Sequence, residues 1–482
     1  MDLLLIEVRG INKYINNGLA YLGGSLIGRC AFNIIDLNFL AWSPDQLKDF
    51  IIAVNPKVLG FSVKSTNAAA VEDLIAELKG KINSLIIVGG PHVSLLGTEY
   101  LRANPDIDYG LQFEAERSLP LFFDFLAGQK KIDEVPGLVY RANGECLANP
   151  YSFTVDLDKL NFPDYDHFAE FNPSRYFRDH PYPLLTSRGC PYNCIYCSVK
   201  FVSGRLWRFR SVENIIEEII AAKEKYQISS FELVDDNFTL DIDRALLFCR
   251  SLVDRQLNLI WGCPNGIRAD RVNQELCKAM YESGCRHVAL GIESGVPEIF
   301  DRIKKGEKLE DVAKAAKMLM ESGIKVTGFF IVGLPGDSIK HTKQTVKFFN
   351  QLKLNGGIKW NFLIPYPHTE LWDWIKKEGK LLNNFALGRH FSKTGDRIIP
   401  IFETADFSSQ ARLKAWKIAN LSTESYSAVF KIPKNPIVFR LKMAYFLLLY
   451  APQVLWRKLS GIIPKLLRNQ RNIKAASKKH DL

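Results

Sequence analysis

The stretch "SRGCPYNCIYCS", residues 187–198, places three cysteines within eight positions: Cys190, Cys194 and Cys197. Because their number is odd, the three thiols cannot all pair in disulfides with one another. A tetrahedral zinc site would need a fourth ligand from elsewhere in the chain. Gly189 and Pro191 are typical of a loop. The spacing therefore predicts a metal-ligating loop, and the surrounding sequence indicates what the loop holds.

The composition is that of an ordinary folded chain. Its 482 residues are 47% hydrophobic and 24% charged, which predicts about two to four domains. The start, "MDLLLIEVRG", lacks the basic region of a signal peptide. We therefore expect a cytoplasmic protein whose nine cysteines are reduced, a setting in which clustered cysteines favour metal ligation.

The net charge of +11 is concentrated at the C-terminal end. Of the 63 basic and 52 acidic residues, twelve basic residues and one acid, Asp481, follow position 430, so the preceding chain carries 51 of each. Such asymmetry indicates an anionic surface as partner, either a membrane or nucleic acid.

From residue 183 onward, short apolar runs alternate with helical patterns, as in "SVENIIEEIIAAKEKY", for which Ser211 is the expected N-cap. Repeated strand–helix units predict parallel strands that curl into a partial (β/α)6 TIM-type barrel. In such barrels the chemistry lies at the carboxyl ends of the strands. The predicted strands are "PLLTSRG" (183–189), "SSFELVDDN" (229–237), "NLIWGCPNG" (258–266), "RHVALGIES" (286–294), "KVTGFFIVG" (325–333) and "GIKWNFLIP" (357–365).

The spacing Cys190-x-x-x-Cys194-x-x-Cys197, with Tyr196 before the last cysteine and a strand before the loop, resembles the signature of the radical S-adenosylmethionine (SAM) superfamily. The resemblance covers about residues 181–372. It implies that three thiolates hold a [4Fe-4S] cluster whose fourth iron is open to SAM. Reduction by an external donor of the flavodoxin or ferredoxin type would then cleave SAM to a 5′-deoxyadenosyl radical. The alternative is a zinc site completed by Cys263 or Cys285.

The same resemblance implies SAM-binding residues at the strand exits. Asp235 or Asp236 in "ELVDDNF" would accept hydrogen bonds from the amino group, although an aspartate there could instead cap the next helix. Residues of "GIRAD" and "GIESG" would contact the carboxylate and ribose, and "GFFIVGLPGD" would stack on adenine. For Arg268 and Glu293, the alternative is that the two side chains form an ion pair with each other inside the barrel. These further candidates are Arg268, Glu293, Ser294 and Gly333.

His368 in "PYPHTELW" stands where the family commonly has glycine. Because the residue differs from the family's glycine, the resemblance does not assign a substrate contact at this position. Because a histidine titrates near neutral pH, His368 is a candidate proton carrier and the single catalytic candidate that the sequence offers.

The first 125 residues predict a Rossmann-like, doubly wound parallel sheet, with a ligand crevice at the carboxyl ends of its strands. The runs "GFSVKS" (60–65), "IIVGGPH" (86–92) and "FEAERSLP" (113–120) resemble the cobalamin-binding domain of cobalamin-dependent radical SAM enzymes, such as the anaerobic magnesium-protoporphyrin monomethyl ester cyclase group. A Rossmann-like unit that has lost its ligand is the alternative. The cobalamin-binding candidates are Ser62, Ser65, Gly89 and Gly90.

The motif Asp-x-His-x-x-Gly, by which some cobalamin proteins give a histidine to cobalt, does not occur. The class usually binds cobalamin without such a ligand, so the missing motif is compatible with binding. His92 is expected to lie at the cofactor's tail or on the surface.

These patterns divide the chain into four parts: a cobalamin-binding domain (1–128), a hairpin and linker (129–180), a radical SAM partial barrel (181–375) and a helical C-terminal region with a basic tail (376–482). The hairpin is expected to turn at Asn143–Gly144.

Arg440, Lys442, Arg457 and Lys458 flank apolar side chains in the tail. This arrangement favours an interfacial helix on anionic lipid, at the inner face of the membrane. A helix that covers the barrel's open side is the alternative. Nucleic acid is not expected, because no recognised binding module accompanies the charge.

The resemblance implies a cobalamin-dependent methyltransferase that acts on an unactivated carbon of a small, lipid-like substrate. Radical cyclisation or rearrangement is the alternative within the class, and a non-catalytic cluster- or corrin-binding sensor is the alternative outside it. A methylthiotransferase would be expected to carry three further cysteines in its N-terminal domain, whereas residues 1–125 contain only Cys30.

Overall fold

The computed structural model describes residues 1–10, 14–382, 400–429 and 435–456. Its first sheet has seven strands in the order β2-β1-β3-β4-β5-β6-β7. The pairs from β2 to β5 are parallel, and β6 and β7 are antiparallel to their neighbours. The strands are β1 (Leu3–Glu7), β2 (Phe32–Asp36), β3 (Val58–Ser62), β4 (Leu85–Gly89), β5 (Tyr109–Leu111), β6 (Leu138–Ala142) and β7 (Glu145–Ala148).

Helices cover both faces of this sheet, which is why its strands are apolar throughout. In β1, Leu3 and Leu5 pack into one buried cluster, and Leu4 and Ile6 pack into another on the opposite face. The predicted doubly wound sheet is confirmed. Its helices are α1 (Asn17–Leu26), α2 (Pro44–Val54), α3 (Ala68–Leu78), α4 (Pro91–Leu96), α5 (Thr98–Ala103) and α6 (Ser118–Leu126).

The hairpin turns where the sequence predicts. Asn143 and Gly144 both have positive φ, +51° and +81°, as a two-residue type I′ turn requires. Its first strand, β6, pairs with β5, so the hairpin extends the N-terminal sheet.

The second sheet has six parallel strands in the order β15-β14-β13-β12-β11-β8. Because β8 and β15 are edge strands, the barrel is partial, as predicted. The predicted first strand divides: its start lies in β8, and its end forms β9, which pairs antiparallel with β10. The strands are β8 (Tyr182–Leu184), β9 (Ser187–Arg188), β10 (Arg208–Phe209), β11 (Ser230–Leu233), β12 (Ile260–Ile267), β13 (Cys285–Glu293), β14 (Lys325–Val332) and β15 (Gly357–Phe362).

Helices connect the strands of this sheet. Ser211 caps α9 by accepting a hydrogen bond from the backbone N–H of Asn214, as expected. The helices from the linker onward are α7 (Pro173–Asp179), α8 (Val199–Val202), α9 (Val212–Tyr226), α10 (Ile242–Asp254), α11 (Gln274–Glu282), α12 (Pro297–Arg302), α13 (Leu309–Glu321), α14 (Ile339–Leu352) and α15 (Glu370–Glu378).

The C-terminal region is helical, with one small sheet that the sequence did not indicate. β16 (Gly379–Leu381) pairs antiparallel with β17 (Phe402–Thr404). The helices that follow are α16 (Ser409–Ser422), α17 (Tyr426–Val429) and α18 (Pro436–Tyr450).

The helix α16 packs along the β15 edge of the barrel sheet, where the indole N–H of Trp416 donates to the carbonyl of Trp360 at 3.1 Å. Among the helices that the structure describes, none has the length and apolarity needed to cross a bilayer. Arg457, Lys458 and the rest of the basic tail lie outside the described residues.

Candidate functional site between the two sheets

The carboxyl ends of the two parallel sheets meet around a cavity of about 440 Å³. Ser62, Gly89 and Leu111 are the last residues of β3, β4 and β5, and all three line it. Leu185 and Val234, which follow β8 and β11, line it from the barrel side. Ligands of open α/β sheets and of barrels bind at these ends, so this cavity is the candidate site.

The cavity wall is mostly apolar, with a few polar groups. The hydroxyl of Tyr21 is buried without a hydrogen-bond partner. Gly90 has a φ of +96°, and a Cβ there would lie 2.9 Å from the carbonyl oxygen of Val63. Apolar walls with sparse polar groups suit a large macrocycle that carries amide side chains, so these residues fit cobalamin.

Three of the four predicted cobalamin-binding residues, Ser62, Gly89 and Gly90, line this cavity. Ser65 does not: it is buried, and its hydroxyl hydrogen-bonds Nδ1 of His92 at 3.0 Å. Its role in cobalamin binding stays a prediction.

The expectation that His92 lies at the surface is wrong, since its side chain is 1% exposed. The ring packs edge-on against Tyr100, with centroids 5.2 Å apart. Burial lowers the pKa of His92 to about 4, so the imidazole is neutral at physiological pH. It lies outside the cavity lining.

The cysteine loop leaves the barrel between β9 and β10. The backbone N–H of Cys190 donates to the carbonyl of Gly204 at 3.2 Å, and that of Cys197 donates to the carbonyl of Cys194 at 3.2 Å. The backbone N–H of Ile195 donates to the carbonyl of Ile303. These bonds gather the three cysteines, all partly buried and free, into one compact turn.

The thiols lie close enough for each to disfavour ionisation of the next. Burial raises the pKa of Cys194 to about 11 and that of Cys197 to about 12, and it also raises the pKa of Cys190. The nearby ammonium of Lys305 opposes this shift at Cys194. Three thiols without a fourth fit a [4Fe-4S] cluster with one open iron, whose binding would displace the thiol protons.

The zinc alternative finds no support in the geometry. Cys263 and Cys285 are buried within β12 and β13. Among the residues that the structure describes, no group of three or more Cys, His, Asp or Glu is arranged to hold a single metal ion, and this includes the three loop cysteines.

Asp235 and Asp236 lie at the exit of β11, close to the cysteine loop. The carboxylate of Asp235 accepts three hydrogen bonds of 2.6 Å, from the N–H and hydroxyl of Thr186 and the hydroxyl of Ser187. Asp236 lines the cavity and accepts from the N–H of Gly189 at 3.2 Å. The helix-cap alternative is wrong for both, because Asp241 caps α10.

A buried ion network joins the exits of β12 and β13. Arg268 forms a bidentate pair with Asp270 at 2.9 and 3.0 Å. The alternative of an Arg268–Glu293 ion pair is wrong: Lys305 lies between the two and contacts Glu293 at 3.5 Å and Glu307 at 2.9 Å. Lys305 and Glu307 were not predicted, because they carry no motif and lie in the connection before α13.

The guanidinium of Arg268 stacks 3.4 Å above the ring of Tyr192 in the cysteine loop. Glu293 accepts a hydrogen bond from the hydroxyl of Tyr196 in the same loop. Burial raises the pKa of Glu293, and its backbone has a φ of +62°. A non-glycine residue held in this conformation is typical of a functional site.

The remaining predicted site residues lie outside the cavity lining. Ser294 accepts a hydrogen bond from the N–H of Val296, so its hydroxyl is engaged. Gly333 has a φ of +99°, and its carbonyl accepts from Arg412 of α16 at 2.8 Å. His368 is exposed and has a φ of +64°, which explains why glycine suits this position. Neither Ser294, Gly333 nor His368 lines the cavity, and their roles stay predictions.

The structure has two units, the N-terminal sheet with its helices and the barrel. A cluster of buried charges, to which the sequence assigned no role, joins them beside the cavity. Arg188 of β9 contacts Glu116 at 2.6 Å and Glu114 at 3.3 Å. Arg208 of β10 contacts Glu114 at 2.5 Å. Burial alone would raise the pKa of Glu116, but Arg188 holds it below its usual value. Glu114 and Glu116 lie in the "FEAERSLP" stretch, and this motif is the sequence feature that could have indicated them.

Two family models match the chain. The model described as the radical SAM superfamily matches residues 184–349, and the one described as the B12 binding domain matches residues 7–122. The first covers the cysteine loop and most of the barrel, and the second covers the first five strands.

Curated relatives match across both units. An uncharacterised methyltransferase of Pyrococcus horikoshii is 29% identical over 423 residues, 86% of this chain and 88% of that protein. The cytidylyl-2-hydroxyethylphosphonate methyltransferase of Streptomyces wedmorensis is 28% identical, over 64% of each protein. The anaerobic magnesium-protoporphyrin IX monomethyl ester cyclase of Rubrivivax gelatinosus is 25% identical, over 73% of this chain and 65% of that protein. The chain thus spans slightly less than two thirds of the last two relatives.

Among solved structures, the cobalamin-dependent SAM radical enzyme OxsB, with aqua-cobalamin and SAM bound, aligns with a TM-score of 0.70. The alignment has 17% identity and covers 90% of this chain and 69% of that chain. At this identity the likeness shows the fold alone: a doubly wound sheet beside a partial barrel.

Proposed function

We propose that this chain, which belongs to the radical SAM superfamily and carries a B12-binding domain, methylates an unactivated carbon of a small-molecule substrate. The observation that carries the proposal is the shared cavity. Carboxyl ends of both sheets line it, and Asp236, which lines it, contacts Gly189 at the start of the cysteine loop. A radical source and a methyl carrier would therefore lie side by side.

When bound, the [4Fe-4S] cluster with SAM supplies a hydrogen-abstracting radical, and cobalamin supplies the methyl group. Cys190, Cys194 and Cys197 would hold the cluster. Asp236, the carboxylate at the exit of β11 that lines the cavity, would accept hydrogen bonds from the amino group of SAM. A flavodoxin- or ferredoxin-type protein would donate the electron.

The chain's own residues protect the site. A radical at the cavity would react with water or oxygen unless the walls exclude them. The buried pairs of Arg188 and Arg208 with Glu114 join the two units along one side of the cavity, and Leu185 and Val234 form part of its apolar wall.

The proposal is tested by anaerobic reconstitution with iron, sulfide and hydroxocobalamin, followed by reduction with dithionite in the presence of SAM. We expect cubane absorption, retained corrin and the release of 5′-deoxyadenosine. Replacing Cys190, Cys194 and Cys197 with alanine should abolish the cluster and the 5′-deoxyadenosine. Cys146→Ala is the matched control and should retain both, since Cys146 is a half-buried cysteine in β7 of the other sheet. A cluster that survives the triple replacement would overturn the assignment.

Radical cyclisation is the second candidate, because a magnesium-protoporphyrin cyclase is among the relatives. The two activities differ in their coproducts. Methyl transfer consumes a second SAM and releases S-adenosylhomocysteine, whereas cyclisation does not. We expect reduced, corrin-loaded protein to form S-adenosylhomocysteine as it methylates cobalamin. Formation of 5′-deoxyadenosine without S-adenosylhomocysteine would favour cyclisation.

A further inference from the structure

The helix α18 presents an apolar face to solvent. Ile437, Leu441, Tyr445 and Leu448 follow one another at intervals of three or four residues and are 67%, 68%, 60% and 61% exposed. This spacing places them along one side of the helix. We name these four residues the outer face. Trp456, just beyond the helix, is 70% exposed.

The opposite side of α18 fixes the helix to the body of the protein. Leu447 is fully buried and packs with Leu421 of α16, and Phe439 and Met443 pack against this small cluster. Because the inner side is occupied, the outer face stays exposed when the helix is folded and docked. A row of large exposed apolar residues marks an interaction surface.

The charged residues of α18 have one sign: Arg440 and Lys442 are its only ionisable side chains apart from tyrosine. In the sequence, residues 457–480, which lie outside the described residues, contain eight Lys or Arg. No Asp or Glu occurs from residue 425 to residue 480. An apolar face on a helix whose only charged residues are basic is complementary to a surface with a hydrocarbon interior and anionic headgroups.

We propose that the outer face of α18 docks this protein on an anionic lipid bilayer, with the helix lying in the plane of the headgroups. The described helices contain no membrane span, so docking would be peripheral. A second copy of the chain fits the face less well, because self-association would bring Arg440 and Lys442 of both copies together.

The test is sedimentation of the full chain with lipid vesicles. We expect binding to vesicles with 30% phosphatidylglycerol and about tenfold weaker binding to pure phosphatidylcholine. Binding should also weaken in 0.5 M NaCl, because salt screens the basic residues. Equal binding to both vesicle types, or no binding to either, would overturn the proposal.

Paired variants distinguish binding through the outer face from nonspecific adsorption to vesicles. The double variant Leu441→Glu/Leu448→Glu should bind the anionic vesicles at least about tenfold more weakly, since it removes two apolar anchors and adds two negative charges. Leu247→Glu on α10, where Leu247 is 48% exposed, is the matched control and should bind as the unaltered chain does. Equal binding by the double variant and the control would overturn the proposal.

Light scattering tests whether a second copy of the chain occupies the face, and a cysteine variant tests whether docking is independent of the cluster. If light scattering shows a dimer that the double variant converts to a monomer, while vesicle binding stays absent, the face is a self-association surface and the proposal fails. Vesicle binding should persist in the variant that lacks Cys190, Cys194 and Cys197. The docking surface and the proposed function can therefore fail independently.

Discussion

At the scale of single residues, Asp235 and Asp236 are neighbours whose carboxylates have different surroundings. Asp235 is saturated by donors from the segment that leads into the cysteine loop. Asp236 lines the cavity and accepts hydrogen bonds from the N–H of Gly189 and the hydroxyl of Ser203. Burial raises the pKa of both, so each depends on its hydrogen bonds to stay charged. The first therefore positions the loop, and the second is available to a ligand.

Matched amide substitutions should separate these two roles. Asp235→Asn replaces an acceptor by a donor and leaves a buried partner unsatisfied, so we expect the free energy of unfolding to fall by about 1–3 kcal/mol. Asp236→Asn should leave unfolding nearly unchanged and weaken SAM binding about tenfold, because an ammonium loses a charged acceptor. Denaturant titration and equilibrium dialysis of the reconstituted protein measure the two effects. If both variants lose the same property, the division is wrong.

At the scale of elements, the cysteine loop depends on a pair of strands that cannot be stable alone. β9 and β10 have two residues each, too few for an independent hairpin. Arg188 and Arg208 project from this pair onto Glu114 of the other unit. The N-terminal unit thus anchors the strands that flank the cysteine loop, so we expect cluster binding to depend on this coupling between the units.

Glu114→Gln tests this coupling. The change leaves Arg208, whose side chain is 1% exposed, with a weaker partner, and breaking a buried pair costs about 3–5 kcal/mol. We expect a lower thermal midpoint and less iron bound per chain after reconstitution. Glu134→Gln removes an exposed pair with Lys130 in the same unit and should change neither. Full iron content in Glu114→Gln would show that the loop is held without the other unit.

The elements that the sequence predicts well are those set by local patterns. Alternation and apolar runs predict both sheets, "NG" predicts the hairpin turn, and Ser211 marks a helix start. The misses involve distant partners. His92 is buried against Tyr100 and Ser65, and Lys305, which was not predicted, pairs with Glu293. A one-dimensional pattern carries no information about which distant side chain fills a buried position, so these contacts required the structure.

At the scale of the whole molecule, two sheets with different connectivity both direct the carboxyl ends of their parallel strands toward one cavity. Both edges carry loops and short turns, so ligand contacts are built from segments that the strands hold in place. One apolar cluster extends from Leu3 and Ile34 of the first sheet to Leu184 and Phe231 of the second. Because the units share this core, we expect the cavity to keep its shape.

The cavity lining predicts how cobalt would be coordinated. In the part of the chain that the structure describes, the lining includes no histidine, cysteine or methionine. His92 is the nearest candidate in sequence, but it lies outside the lining; its Nδ1 is engaged by Ser65, and its Nε2 is buried without a hydrogen-bond partner. We therefore expect cobalamin to bind without a histidine ligand. Electron paramagnetic resonance of the reduced, cobalt(II) form should be unchanged by ¹⁵N-labelling of the histidines and by His92→Ala. A nitrogen splitting that responds to the label would show that a histidine reaches the metal and that the cavity rearranges on binding.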